Sequence, residues 1–261
     1  MVGYRLSRTG IAGQPFFIQS IGINLWSVEE LCWFLEHHPA LIDETIIGTK
    51  LTRWLSEEFG LTEMALRMER GLRDGRGAAE YLMPLFTLTG YMTHHESLKM
   101  RAVLEKFTEA TAAERSFRKG NALAANRKYG EAIASYEQAA GLTHERERGF
   151  LAKIFHNAGT AAMQLLEYDE AEAFFLKAYQ ADGTHARLRD YLTAARLAKP
   201  EERYFEEAEI AGADEEVLAE VDSALKAARE QRPELPEDLQ AAVRKLRLDY
   251  HREAGTSVRG C

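Results

Sequence analysis

The sequence is poor in residues that break helices or cross-link chains. Its 261 residues include only six Pro, against abundant Ala, Leu, Glu, Arg and Lys, so the composition favours helix. Two cysteines, Cys32 and Cys261, are too few for a disulfide framework. The chain also lacks a run of the ~18 apolar residues that a membrane span needs, and its first residues lack a charged-then-apolar signal region. We therefore expect a cytoplasmic protein with no membrane partner.

An excess of positive charge is also missing, which excludes another class of partner. The formal net charge is -8, whereas nucleic-acid binding needs clustered Lys and Arg against phosphate. The acidity is local, because residues 201–231 hold 11 acidic and 3 basic residues and the rest of the chain holds 30 of each. This acidic segment is either a solvated face or a contact surface for a basic partner. We expect no nucleic acid among the partners.

The motifs of common catalytic and metal sites are absent too. No Cys-x-x-Cys, His-Glu-x-x-His, phosphate-binding glycine loop or Gly-x-Ser-x-Gly occurs. The two histidine pairs, His37 with His38 and His94 with His95, are adjacent in sequence. On a helix each pair points about 100° apart and cannot chelate one ion from one face. Cys32 has acidic neighbours, which oppose thiolate formation. We therefore expect no catalytic residue, no metal and no cofactor.

Residues 1–92 are predicted to form a helical region of their own. The segment 14–27 places apolar residues among small and polar ones, which indicates one extended segment or a short strand. Ser27 and Thr93 each stand three residues before a Glu, which is the spacing of a capping box at a helix start. Between them, apolar stripes predict several short helices, and Pro84 is expected to kink or shorten one of these.

The central part of the chain contains one pattern twice, 39 residues apart. The matched positions are Gly120 with Gly159, Tyr129 with Tyr168, Glu131-Ala132 with Glu170-Ala171, Tyr136 with Phe175, and Ala139 with Ala178. The interval from Gly to Tyr completes one helix and its turn, and the later positions share one face of a second helix. Small residues let the two helices approach, and the second aromatic fills the groove beside the next pair. Because each pair leaves an apolar face uncovered, the units must stack.

These positions resemble the tetratricopeptide repeat, whose small, aromatic and Ala positions they match one for one. Two copies are clear, at about residues 113–141 and 143–182, and a third from residue 184 is degenerate. Their offset exceeds the 34 residues of the family by five, which we expect to lengthen a helix or its loop around residues 143–149. The resemblance implies an all-α fold, an antiparallel helix-pair solenoid with an N-terminal helical region and C-terminal capping helices. We divide the chain into residues 1–92, the repeats at 93–200, and 201–261.

The last part, residues 201–261, is predicted to cap the solenoid. It combines the acidic segment with a final helix and a disordered tail at residues 254–261. Leu239, Val243, Leu246 and Tyr250 follow a seven-residue repeat and give the final helix a narrow apolar seam. The seam can be covered by the repeats of the same chain or by a second chain. The protein is accordingly expected to be a monomer or a homodimer.

The resemblance also implies a groove lined by the first helix of each pair. One subclass of the family grips an acidic C-terminal tail with a clamp of Lys, Asn, Asn, Lys and Arg. Asn121 and Asn157 occupy the two Asn positions, and Arg187 falls near the first cationic position of the third helix. Phe117 replaces the first Lys and Tyr191 replaces the Arg, so two of the three charges are missing. These five residues form the candidate peptide-binding site, in which the Asn side chains either bond a peptide backbone or face water.

The sequence therefore predicts a non-catalytic interaction scaffold or adaptor that binds a peptide or helix of another protein. Two alternatives stay open. One is a regulatory or sensor subunit whose acidic C-terminal helices block the groove until a partner displaces them. The other is a small enzyme sited in the N-terminal region, the part without a family resemblance.

Overall fold

The computed structural model describes residues 9–74, 77–230, 236 and 238–253, without the side chains of 250–253. This part of the chain is 75% helical, with 13 α-helices, one 3-10 turn and a two-stranded sheet, so the predicted fold class is confirmed. The chain divides into two compact units, the described residues of Met1–Ala110 with Gln240–Cys261 and those of Thr111–Leu239. The boundaries drawn from sequence at 92/93 and 200/201 stay predictions, and the predicted disordered tail at 254–261 lies outside the described residues.

The first unit opens with a small antiparallel hairpin. Strand β1 (Phe16–Ile18) pairs with β2 (Ile23–Leu25), in a register that sets Phe17 opposite Asn24. The two residues that flank Phe17 are buried and Phe17 itself is exposed, the alternation of a half-buried strand. The chain reverses between the strands at Gly22, which has a φ of 70°. The predicted extended segment is therefore a pair of strands that satisfy each other's hydrogen bonds.

Five helices follow in the first unit, and most residues of their predicted apolar stripes are buried. They are α1 (Val28–His37), α2 (Thr49–Phe59), α3 (Thr62–Arg73), α4 (Gly77–Leu88) and α5 (His94–Glu109), with the 3-10 turn Pro39–Leu41 after α1. Their buried apolar residues include Leu31, Leu35, Leu51, Leu55, Met64, Met68, Leu82, Phe86, Met100 and Leu104. This unit thus has a hydrophobic core of its own.

Side-chain caps start two of these helices where the sequence predicts them. Thr93 and Glu96 form a full capping box at α5, because each side chain bonds the backbone amide of the other. At α1, the Ser27 hydroxyl accepts a bond from the Glu30 amide at 3.1 Å, while the Glu30 carboxylate accepts one from the Trp26 amide. In the usual capping box the Glu30 carboxylate would bond the amide of Ser27 itself; here it bonds the amide one residue earlier.

Helix α4 continues for four residues beyond Pro84, although the sequence predicts a kinked or shortened helix there. Pro84 has no N–H to give to the carbonyl of Glu80 four residues earlier. That carbonyl faces Gly71 of α3, where an added Cβ would lie 3.2 Å from the oxygen. Gly71 therefore allows α3 and α4 to approach closely at the level of the lost hydrogen bond.

The second unit is a row of helices in which each of the first five packs against the next. They are α6 (Ala112–Ala125), α7 (Tyr129–Leu142), α8 (Arg148–Gln164), α9 (Tyr168–Asp182), α10 (His185–Ala198), α11 (Glu201–Ile210) and α12 (Glu215–Glu230). The pairs α6–α7 and α8–α9 are the two copies of the 39-residue pattern. The packing of consecutive helices fits a helical repeat solenoid.

The repeated small residues have two separate roles in these pairs. A Cβ on Gly120 would lie 2.5 Å from the Tyr136 ring, and one on Gly159 would lie 2.8 Å from the Phe175 ring. Each Gly thus makes room for the aromatic residue of its own pair. The repeated Ala residues of α7 and α9 are fully buried between helices. The aromatic rings therefore lie within each pair, over the glycine.

The turn inside each pair has the same backbone in both copies. Arg127 and Leu166, which are 39 residues apart, both adopt the left-handed conformation, with φ of 58° and 62°. The residue after each one donates a hydrogen bond to a carbonyl five positions earlier, from Lys128 to Leu123 and from Glu167 to Ala162. The turns are therefore equivalent, although neither copy uses Gly at the left-handed position.

Three of the five extra residues between the copies lengthen a helix. Helix α8 has 17 residues against 14 in α6, and it begins at Arg148. The Arg148 guanidinium donates to the carbonyls of Gln180 and Ala181 at 2.7 and 2.9 Å. The added first turn of α8 therefore caps the C-terminal end of α9, where carbonyl groups lack helical partners.

The last repeat helix is covered by α11 and α12. Helix α10 packs against both of them, and α12 buries Val217 and Val221. The final helix, α13 (Leu239–Glu253), carries the predicted seam, of which Leu239, Val243 and Leu246 are 57%, 43% and 69% exposed. The side chain of Tyr250 lies outside the described residues. The solenoid is thus capped by α11 and α12, while the three described seam residues stay exposed.

Candidate functional site

Two of the predicted groove residues meet across neighbouring first helices. The Asn157 side chain of α8 donates from Nδ2 to Oδ1 of Asn121 on α6 at 2.8 Å. The same oxygen accepts a bond from the Tyr136 hydroxyl at 2.9 Å, which links it to α7 between the two helices. Burial raises the pKa of Tyr136 to about 12, against a smaller lowering by Asn157, so the hydroxyl remains a donor at neutral pH.

A third predicted residue, Phe117, lies beside this pair in an aromatic cluster. Its ring is 5.9 Å from the ring of Tyr136 and 5.3 Å from the ring of Phe150, the latter in a T-shaped arrangement. Phe150 belongs to the added first turn of α8 and is half-buried, as Phe117 is. The position that holds a clamp Lys in the related subclass is therefore part of an apolar surface.

Arg187, the fourth predicted residue, is neutralised by its own neighbours. Its guanidinium lies 3.6 Å from a carboxylate oxygen of Asp182 and 3.7 Å from one of Asp190. The same oxygen of Asp190 is 3.1 Å from Nδ1 of His156 on α8. A bound anion would have to compete with two carboxylates for this guanidinium.

Tyr191, the fifth predicted residue, is only 4% exposed and points toward α11. Its hydroxyl donates to a carboxylate oxygen of Glu207 at 2.9 Å. Burial and the Glu207 charge both raise the pKa of Tyr191. The structure thus brings together Asn121, Asn157 and Phe117, whereas Arg187 and Tyr191 are engaged in contacts around α10.

Sequence reasoning missed two residues at this surface. Phe150 follows the segment 143–149 and lies in the added first turn of α8, and His156 reaches Asp190 on α10. Only the length of the insertion hinted at Phe150, because a longer α8 adds a turn beside α6. His156 had no signal, since its partner is 34 positions later in a different helix.

A second polar cluster ties α11 to the preceding helices. The Lys199 ammonium group donates to Glu172 of α9 at 2.6 Å and also bonds Glu207 of α11. Burial raises the pKa of Glu172, which is 7% exposed, and Lys199 opposes that rise. Burial alone would raise the pKa of Glu207 too, but bonds from Lys199 and Tyr191 lower it below its usual value. The polar groups of this cluster bond one another, and they hold α11 against α9 and α10.

An open cavity of about 300 Å³ lies on the surface of α3, α4 and α5 in the first unit. Its lining combines apolar residues around Pro84 with Arg67, His94 and the ion pair of Arg101 with Glu80. Within the described ranges no group of three His, Cys, Asp or Glu residues could hold a metal ion. Over the same ranges, no helix is both long and apolar enough to cross a membrane.

Comparison with known families identifies the repeated pairs. Residues 113–143 and 152–185 match the family model described as the tetratricopeptide repeat. The chain contains two tetratricopeptide repeats. They coincide with α6–α7 and with most of α8–α9, and the second match reaches the first residue of α10. No curated protein matches the chain.

The family match bears on the use of this surface. Tetratricopeptide repeats generally mediate protein–protein interactions, and the family is typically non-catalytic. Asn121, Asn157 and Phe117 all lie within the matched segments, on the first helices of their repeats. The surface they form is therefore the candidate site for another protein.

Proposed function

We propose that this protein is a cytoplasmic interaction scaffold or adaptor, which holds a peptide or helix of a partner protein against the first helices of its tetratricopeptide repeats. The observation behind the proposal is the bond between Asn121 and Asn157, which sets two side-chain amides side by side on adjacent first helices. Amide side chains can accept from and donate to a peptide backbone without needing a charge. The regulatory-subunit and N-terminal-enzyme alternatives stay predictions.

Removing both amides tests this function. The Asn121→Ala/Asn157→Ala variant should lose most capture of the native partner from lysate, because a ligand backbone would then lack its hydrogen-bonding groups. Capture is quantified by affinity purification with mass spectrometry, and circular dichroism checks that the helical signal is unchanged. A third change, Arg187→Ala, should add little, since that guanidinium is already paired with Asp182 and Asp190.

The matched control removes two amides from the second helices. Gln138 of α7 and Gln180 of α9 have exposed side chains, so Gln138→Ala/Gln180→Ala makes the same chemical change away from the first helices. This control should capture the partner as the parent does. Equal capture by the Asn121→Ala/Asn157→Ala variant and the parent would contradict the proposed function.

A further inference from the structure

Helices α6 and α8 form one continuous patch with rings at one level and amides at another. Phe117 and Asn121 are four residues apart on α6, and Phe150 and Asn157 are seven apart on α8, so each pair shares a helix face. The two rings meet at 5.3 Å and the two amides at 2.8 Å. Lys153 stands between Phe150 and Asn157 on that face of α8. We call these five residues the ring–amide patch.

The amides of the patch retain a donor and an acceptor for a ligand. Oδ1 of Asn121 already accepts two bonds, from Tyr136 and from Asn157. Among the described residues nothing bonds Nδ2 of Asn121 or Oδ1 of Asn157. These two groups complement the carbonyl and the N–H of a peptide unit. A ligand backbone in extended conformation exposes such groups, whereas a helical ligand uses them internally.

The rings of the patch offer an apolar contact at the other level. Phe117 and Phe150 are both half-buried, so part of each ring is open to solvent. An aliphatic side chain laid on two rings removes apolar surface of both partners from water. The ring level and the amide level are about 6 Å apart on α6 and about 10 Å apart on α8. An extended chain covers that interval in about two or three residues.

The positive charge of Lys153 determines which charged group of a ligand the patch can pair with. Lys153 is exposed and has no ion-pair partner in the part of the chain that the structure describes. By contrast, Arg187 on α10 is held by two carboxylates. One unpaired ammonium group suits a single carboxylate side chain. A terminal carboxylate gripped by several cations would find only Lys153 among the five residues of the patch.

We propose that the ring–amide patch binds an internal, extended segment of a partner protein that has an aliphatic residue close to an acidic one. The aliphatic side chain rests on Phe117 and Phe150, and the acidic side chain pairs with Lys153. A peptide unit nearby bonds the amides of Asn121 and Asn157. The inference rests on the proposed function and names the chemistry of its ligand.

The test uses the full 261-residue chain and a set of acetylated, C-terminally amidated nonapeptides. Each has a Gly/Ser background with Leu at the centre, and Asp is placed one to four residues to either side. Leu alone, Asp alone, and the Leu peptide with a free C-terminal carboxylate complete the set. Nuclear magnetic resonance titration gives the dissociation constants, since it measures millimolar affinities.

We expect binding to require Leu and to strengthen by up to about fivefold when Asp stands one or two residues away. Lys153→Gln should abolish that gain without weakening the Leu-only peptide. Phe117→Ala/Phe150→Ala should weaken every Leu peptide about tenfold or more. The controls are Lys226→Gln on the exposed face of α12 and Phe155→Ala, whose ring faces Lys177 of α9. Both should bind as the parent does.

Three results would overturn the inference. They are an Asp effect that survives Lys153→Gln, a free terminal carboxylate that binds more tightly than any amidated peptide, and failure of all peptides to bind. The first two identify a different anion site, and the third shows that short extended segments are not ligands. None of these bears on capture of the native partner, which fails separately if Asn121→Ala/Asn157→Ala has no effect on it.

Discussion

Gly120 and Gly159 each lie beneath an aromatic ring sixteen positions later. Their helices could hold an Ala without any backbone strain, and Ala is the better helix former. The reason for Gly is therefore the ring, which would meet an added Cβ at 2.5 Å in the first repeat and at 2.8 Å in the second. At these distances either the ring or the helix must shift. The small residue is required by one contact inside the repeat, and it sets how close the two helices come.

Substituting Ala at these positions should therefore destabilise the protein. Gly120→Ala and Gly159→Ala should each lower the free energy of unfolding by about 1–3 kcal/mol, because overpacking displaces Tyr136 or Phe175. Urea unfolding followed by circular dichroism measures the change. The matched control is Gly130→Ala in α7, where an added Cβ meets nothing within 4 Å among the described residues. If Gly120→Ala is as harmless as Gly130→Ala, the proposed role of the ring contact is wrong.

At the scale of the helices, Lys199 links three helices through contacts that no sequence pattern predicts. It ends α10 and bridges Glu172 of α9 to Glu207 of α11. Each carboxylate is largely removed from water, so losing the shared cation would leave two like charges close together. The helices α9, α10 and α11 are thus held by one ammonium group as well as by apolar packing.

Lys199→Met should lower the free energy of unfolding by on the order of 2 kcal/mol at pH 7. Glu207 has a lowered pKa in the folded state, so its stabilising contribution is present above the pKa of the unfolded chain and is lost as the pH falls through the folded value. Glu172 has a raised pKa and acts in the opposite sense, costing stability as the pH rises through its folded value. Because of both effects, the free energy of unfolding that Lys199→Met loses is largest at neutral pH and smaller below about pH 4.

The measurement is urea unfolding of parent and variant between pH 3 and pH 7. Adding Glu172→Gln to Lys199→Met should restore part of the loss, because one of the two unpaired charges is then removed. Lys226→Met on the exposed face of α12 is the control and should be neutral. A Lys199→Met deficit that does not change with pH would show that the lost packing of the Lys side chain, and not its charge, is responsible.

Much of the helical architecture could be predicted from the sequence because its signals are local. The 39-residue pattern predicted α6–α9, and the spacing of Thr93 and Glu96 predicted the start of α5. Contacts between residues far apart in sequence have no such signal. Examples are the Arg148 cap on α9, the Lys199 bridge and the contact of Phe150 with Phe117. The repeat alignment placed Asn121 and Asn157 on successive first helices, where they bond each other, whereas the engagement of Tyr191 by Glu207 depended on where α11 packs.

At the scale of the whole molecule, the question is which segment ends the solenoid. The sequence predicts that residues 201–261 cap the repeats, with the seam of the final helix covered by the repeats or by a second chain. Within the second unit, α12 packs against α10 and buries Val217 and Val221. The apolar end of the repeats is therefore covered before α13 begins.

Deleting residues 232–261 should leave the thermal midpoint of the repeats nearly unchanged, because α12 remains in place to cover α10. Val217→Ala/Val221→Ala in the full chain should instead cost about 1–3 kcal/mol, since two buried side chains lose methyl groups at that end. Differential scanning calorimetry compares the three proteins. Sedimentation equilibrium of the parent and the deletion tests the predicted monomer or homodimer, because a dimer formed through Leu239, Val243 and Leu246 requires α13. A deletion whose repeats melt well below those of the parent would contradict the covering of α10 by α12.

The row of helices from α6 to α10 also has a consequence for how this unit forms. Each helix packs against the one that follows it, so most native contacts in this stretch join residues that are near in sequence. Such a topology closes only short loops, and proteins of low contact order fold rapidly. In a nearly one-dimensional array, structure can start at one helix pair and spread to its neighbours. The pair α8–α9 is suited to be that starting point, because Arg148 hydrogen-bonds the start of α8 to the end of α9. This unit would then gain order outward from α8–α9, and α11 and α12 would close its end last.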